Sequence, residues 1–107
     1  MAKVGICQLC GRNEIEVTRH HLIPRTRHAN KRNQKLFDRE DVRTRLADLC
    51  RPCHGLIHKV LTEKELEREY NTLEALRSQP EIARFAAWVA RRPAGLKVRS
   101  RRPAQVT

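Results

Sequence analysis

Four cysteines occur as two Cys-x-x-Cys pairs, Cys7/Cys10 and Cys50/Cys53, with 39 residues between them. Two-residue spacing lets both thiolates of a pair meet one tetrahedral ion at about 2.3 Å per Zn–S bond. A thioredoxin-like redox motif would explain one pair and not two. Disulfides would suit a secreted chain, but nothing at the N-terminus exports this one. Met1-Ala2-Lys3-Val4-Gly5-Ile6-Cys7 has one charge and then a cysteine where a signal peptide needs its apolar core. The expectation is a reduced, cytoplasmic protein with a four-cysteine zinc site. The size points the same way. At 107 residues with 4% aromatics the chain makes one domain with a thin apolar core, and small domains gain from a metal staple.

Lys and Arg number 23 against 12 Asp and Glu, a formal charge of +11. That balance calls for a polyanionic partner, nucleic acid or an acidic membrane surface. No apolar run approaches the roughly 20 residues that span a bilayer, so a membrane span is not expected. The charge is uneven. Residues 19–45 carry nine basic and three acidic side chains, and 91–107 carry six basic and none acidic, whereas 62–84 carry four basic and six acidic. The middle segment and the tail therefore hold the electrostatic footprint. Within the middle segment Arg25, Arg27, Lys31 and Arg32 follow Pro24 closely and are candidate phosphate contacts.

Local pattern places these features on elements. Cys7 to Gly11 reads as a knuckle, with Gly11 suited to a tight turn. Residues 14–18 alternate polar and apolar, a short strand that leads into Arg19-His20-His21-Leu22-Ile23 and ends at Pro24. Residues 25–43 read as a loop with at most a helical turn near 30–37, anchored by Leu36 and Phe37. Residues 44–49 form a second strand ending at Cys50. Pro52 suits the first turn of a helix over about 52–60. Thr62-Glu63-Lys64-Glu65 is a capping box that opens a helix to about Ser78. Pro80 starts another, with Ile82, Phe85, Ala86 and Val89 on one face, and Tyr70, Phe85 and Trp88 read as core. The organisation is a core over 1–61, a two-helix extension over 62–92 and a disordered basic tail over 93–107.

The histidines carry the chemistry. His54 and His58 are four apart on the expected helix, so both rings can reach one ion, and His54 directly follows Cys53. His20 and His21 are neighbours on a strand, where adjacent side chains point to opposite faces. One can join His54 and His58 on a metal while the other faces a substrate and takes a proton. Strand geometry alone leaves open which is which. His28 reads as a polar loop residue. Three imidazoles leave a metal with open positions, and a neutral imidazole near pH 7 can activate water. Set in a basic surface, these parts describe a metal-dependent nuclease.

Cys-x-x-Cys, then His-His-Leu-Ile-Pro, then Leu-Cys-x-x-Cys-His-x-x-x-His resembles the HNH endonucleases with a four-cysteine zinc site, over about residues 7–59. The resemblance implies an α+β fold built on a ββα-metal (His-Me finger) unit, with the stretch after the motif as a helical extension. It implies that His20, His54 and His58 bind a catalytic divalent ion (Mg²⁺, Mn²⁺, Ni²⁺ or Zn²⁺) and that His21 is the general base. It also implies that Cys7, Cys10, Cys50 and Cys53 hold a separate structural zinc. The implied reaction is hydrolysis of DNA phosphodiesters, leaving 5′-phosphate and 3′-hydroxyl ends. Where many members have an asparagine, five residues before the third cysteine, this chain has Arg45. Something else must then orient His21, and the Arg45 guanidinium becomes a candidate phosphate contact. The principal rival is a non-catalytic zinc-stapled nucleic-acid-binding module. A zinc-stapled protein-interaction domain comes third.

Overall fold

The computed structural model describes residues 3–93. The tail expected to be disordered lies outside the described residues except for Pro93. Over these residues the fold is α+β, a three-stranded antiparallel sheet in the order β1-β2-β3 with six α-helices. Strand β2, Ile15–His21, is the centre of the sheet and pairs with β3, Leu46–Cys50, on one side. Strand β1, Lys3–Gly5, pairs on the other side and lies ahead of the region the sequence pattern picked out. In the β2–β3 register, His20 faces Ala47, Thr18 faces Leu49 and Val17 faces Cys50. Helix α3, Arg51–Val60, starts the moment β3 ends, with Pro52 in its first turn. The chain thus reverses from sheet to helix at Cys50, which places Cys53 and His54 one turn into α3.

The segment between β2 and β3 is more helical than its polarity implied. A short 3₁₀ turn, Arg25–Arg27, is followed by α1, Lys31–Leu36, and α2, Arg39–Thr44. Side-chain caps account for both helices. Asn30 accepts from the amides of Arg32 and Asn33, and Asp38 accepts from Asp41, satisfying donors that the first turn leaves orphaned. Thr44, expected in the second strand, ends α2. The apolar anchor of this segment is Val42, 1% exposed, whereas Leu36 is 61% exposed.

The extension contains three helices rather than two. Helix α4, Glu63–Arg68, has the expected capping box, with Thr62 and Glu65 each bonded to the other's backbone amide. It ends where the Tyr70 amide turns back to the Glu65 carbonyl at 3.1 Å, and the Asn71 side chain then donates to the Glu67 carbonyl at 2.7 Å, the acceptor that the Asn71 amide would need in a continuing helix. Thr72 then caps a new helix, α5, Leu73–Ser78. Helix α6, Pro80–Val89, lays Ile82, Phe85, Ala86 and Val89 inward as the periodicity predicts and packs against α3 and α5. Leu49, Leu56, Ile57, Leu66, Leu76 and Ile82 are fully buried in one cluster. Tyr70 packs at its edge from the break between α4 and α5. Trp88 does not join the core. It falls at the rim of the α6 stripe, 47% exposed, with the Arg92 guanidinium 4.5 Å from its ring centre. Among the described residues no helix is long and apolar enough to cross a membrane.

Candidate metal centres

Two clusters of potential ligands flank the start of α3. In the first, Cys7 and Cys10 come from the turn after β1, Cys50 from the end of β3 and Cys53 from α3. Their sulfurs lie within 4.8 Å of one another, and none is in a disulfide. Gly11, at φ +84°, closes the knuckle, its amide donating to the Cys7 carbonyl at 2.9 Å. The Cys10 amide points at the Cys7 sulfur, 3.4 Å away. Cys10 and Cys50 sulfurs are 3.9 Å apart, close to the roughly 3.8 Å edge of a tetrahedron with 2.3 Å Zn–S bonds. The donor set therefore fits a four-thiolate ion such as zinc.

Proton chemistry agrees with that fit. Hydrogen bonds from neighbouring sulfurs lower the Cys7 thiol far below its usual value, and Cys10 to about 6. The same crowding raises Cys50 and Cys53. Four like charges cannot share such a space without a cation, so without one the cluster must retain protons that an ion would displace. Arg12 supplies part of the compensating charge. It is buried, with Nη2 donating to the Cys50 sulfur at 3.4 Å and Nη1 to the Pro93 carbonyl at 3.4 Å.

The second cluster is His20, His54 and His58, whose ring nitrogens also lie within 4.8 Å of one another. Ring centres are 5.0 Å apart for His20–His54, 5.4 Å for His20–His58 and 5.1 Å for His54–His58. The strand supplies one ligand and one face of α3 supplies two. His20 is fully buried, and neither of its ring nitrogens has a hydrogen-bond partner among the described residues. Such a pair of orphaned nitrogens is costly, and a shared cation would relieve it. Burial, reinforced by His54 and His58, lowers His20 to about 3. Burial also lowers His54, with help from His58 and His21. Both rings are therefore neutral at pH 7, the form that ligates. His58 is exposed, so this cluster is open to solvent on one side.

His21 is not part of that group. It is half-buried, its ring centre 6.2 Å from that of His28. Burial, then the charges of Arg25, His28 and Arg19, lower its proton affinity and keep it neutral near pH 7. Arg25, Lys31 and Arg32 are exposed. Two other basic candidates have internal partners. Arg27 is held by Glu67, with Nη2 at 3.1 Å and Nε at 3.2 Å. Arg45 grips the Asp41 carboxylate and donates to the Asn71 side chain at 3.1 Å, which commits it to the junction of α2 with the extension rather than to a phosphate.

Four side chains at or around these centres escaped the sequence pattern. Thr18, whose hydroxyl lies 2.6 Å from His54 Nδ1, was signalled by strand periodicity, being two residues before His20 and so on its face. His28, expected to be an ordinary loop residue, packs beside His21 and donates through Nε2 to the Ile23 carbonyl at 2.8 Å. Glu67 and Asn33 left no local signal. Both are buried, and the Asn33 amide donates to Glu67 at 2.6 Å. Asn33 also accepts from Arg39, so this network fastens the segment that follows His21 to α4.

The uncharacterized protein YisB of Bacillus subtilis (strain 168) is 41% identical over 97 residues, covering 87% of this chain and 83% of YisB. The chain belongs to the YisB family. No family model matches it, and no solved structure matches it. Kinship with YisB brings no activity with it, so the chemistry rests on the two clusters.

Proposed function

We propose that this YisB-family chain is a metal-dependent endonuclease of the HNH type that hydrolyses phosphodiester bonds in double-stranded DNA. One observation carries the proposal. Three imidazoles from two separate segments converge on one point, and the neighbouring His21 is left out of the group, neutral and flanked by basic side chains. The order β2, β3, α3 is that of a ββα-metal unit, with His20 on the first strand and His54 and His58 on the helix. Cys7, Cys10, Cys50 and Cys53 would hold a structural zinc, a closed site with all four positions taken by protein. His20, His54 and His58 would hold a divalent ion. When bound, that ion would offset charge on the phosphoryl group and on the departing oxygen.

The chain's own residues account for the rest. His21 takes a proton from water as the water oxygen bonds to phosphorus. The bond from phosphorus to the 3′-oxygen breaks, and that oxygen leaves with the bonding pair and takes a proton from solvent water to become a hydroxyl. Exposed Arg25, Lys31 and Arg32 supply positive charge for the flanking phosphates.

Supercoiled plasmid incubated with the purified protein and Mg²⁺, Mn²⁺ or Ni²⁺, with EDTA as control, tests the proposal. Nicking that needs the ion, and that His21→Ala abolishes while DNA binding persists, is the expected result. Binding without cleavage under every ion would make the chain a zinc-stapled DNA-binding module instead. Cleavage unchanged in His21→Ala would remove His21 from its role.

A further inference from the structure

We infer that Thr18 is a positioning residue that sets the proton on His54 and thereby aims His54 Nε2 at the ion. The inference rests on the three-histidine metal centre proposed above. Thr18 and His20 share a face of β2, and α3 lies over that face. Thr18 Oγ1 is 2.6 Å from His54 Nδ1 and 3.3 Å from the Leu49 carbonyl, its register partner on β3.

The chemistry of these atoms orders the chain. The Leu49 carbonyl can only accept, so the one arrangement that makes both contacts hydrogen bonds puts the Thr18 hydroxyl hydrogen on Leu49 and has Oγ1 accept from His54 Nδ1–H. A neutral imidazole with its proton on Nδ1 has its lone pair on Nε2. Nδ1 is engaged with Thr18, so Nε2 is the nitrogen left for the cluster. The hydrogen bond also fixes the ring's rotation about χ2. Among the described residues His20 has no such partner at either nitrogen, so of these two rings His54 is the one the protein orients before any ion arrives. Leu49 is rigid for a separate reason: it is fully buried, and the next residue is the cluster ligand Cys50. The backbone that holds one centre therefore sets the tautomer in the other.

The test uses the full chain loaded with one equivalent of zinc, with zinc placement on the cysteines checked from their Cβ shifts. Long-range ¹H–¹⁵N spectra near pH 7.5 report which His54 nitrogen carries the proton. Nδ1–H is expected, and Nε2–H in the wild-type protein overturns the inference with no variant needed. Co²⁺ titration then measures affinity at the histidines, whose spectrum lacks the sulfur-to-cobalt bands of a thiolate site. Thr18→Val, of nearly the same shape, is expected to bind Co²⁺ about 10- to 100-fold more weakly, and Thr18→Ser to restore the affinity. A Thr18→Val protein that binds as tightly as wild type overturns the inference while leaving the metal centre standing. Wild-type protein that binds no Co²⁺ at the histidines overturns the centre and the role of Thr18 with it. A Thr18→Val chain that does not fold leaves the decision to the wild-type tautomer and to Thr18→Ser, which must keep both the Nδ1–H signal and the affinity.

Discussion

The cysteine and histidine clusters meet at adjacent residues, Cys53 and His54, yet they differ in ligand number and in solvent access. The cysteine cluster is closed. Cys7, Cys50 and Cys53 are fully buried in the apolar core, and four ligands fill a tetrahedron. The histidine cluster is graded from buried His20 through half-buried His54 to exposed His58, and three ligands leave room for water or substrate. Ligand count and solvent access together separate an ion that holds a fold from an ion that does chemistry. Helix α3 belongs to both, so an ion held by the cysteines would also fix the helix that carries His54 and His58.

The largest effect that could break this comparison is at the cysteines. Cys53→Ser is expected to abolish the cooperative thermal melt and to lower zinc from about one per chain toward none. Structural zinc supplies apparent free energy of about 10–16 kcal/mol in small domains, more than a domain of this size has to lose. A melt that survives Cys53→Ser but disappears in His20→Ala would exchange the roles of the two centres.

Next comes the loss of a proton acceptor. His21→Ala should lower plasmid nicking by roughly 10²- to 10⁴-fold with its melting temperature changed little, because His21 lies outside both clusters. A parallel loss of folding, followed by circular dichroism, would make His21 structural instead.

Glu67→Gln sharpens the contrast from outside both centres. Burial pushes Glu67 up, but the Asn33 amide and Arg27 outweigh it and hold it below the ordinary carboxylate range. Breaking a buried charge pair from one side costs about 3–5 kcal/mol, and Arg27 at 24% exposure reduces that toward the lower figure or below. Denaturant unfolding should show the loss above pH 5. It should shrink as pH falls through the native value, where the wild-type carboxylate is itself protonated. A loss that does not change with pH would show that the carboxylate charge is not what matters.

The smallest effect is a slope. His20 is held at about 3 in the folded chain, against about 6.5 for a free imidazole. Between these values the unfolded chain binds the extra proton. Its contribution is fully present above about pH 6.5 and is lost as pH falls toward 3. With the histidine cluster free of added ion, wild type should therefore lose stability relative to His20→Gln on acidification from pH 6.5 to 5. The limit is about 1.4 kcal/mol per pH unit. Equal slopes in urea titrations would show that the ring is not held in its neutral form.

Much of the site was legible because its constraints are short in sequence. A two-residue cysteine spacing, a four-residue histidine spacing and an adjacent histidine pair each imply geometry on a single element. The capping box at Thr62 and the inward face of α6 were legible for the same reason. The break between α4 and α5 was not, since Leu66, Leu73 and Leu76 keep an apolar pattern across it while the Tyr70 amide turns back to Glu65. Leu36 and Trp88 look like core by residue type, and only the position of neighbouring elements leaves them at the surface. Strand β1 is three residues long, too short to show a period.

The sequence by itself determined that one ion could be held by four thiolates and that His20 and His21 must part, because ligand spacing and strand alternation act within a few bonds. The tertiary structure decided which of the two histidines joins His54 and His58. It also spent Arg27 and Arg45 on internal partners and brought Thr18 to His54 and Glu67 to Asn33. Apart from the Arg45–Asp41 pair, those outcomes depend on contacts between residues 26 to 40 positions apart, and such contacts exist only once the β2–β3 register and the seating of α3 and α4 have set the distances.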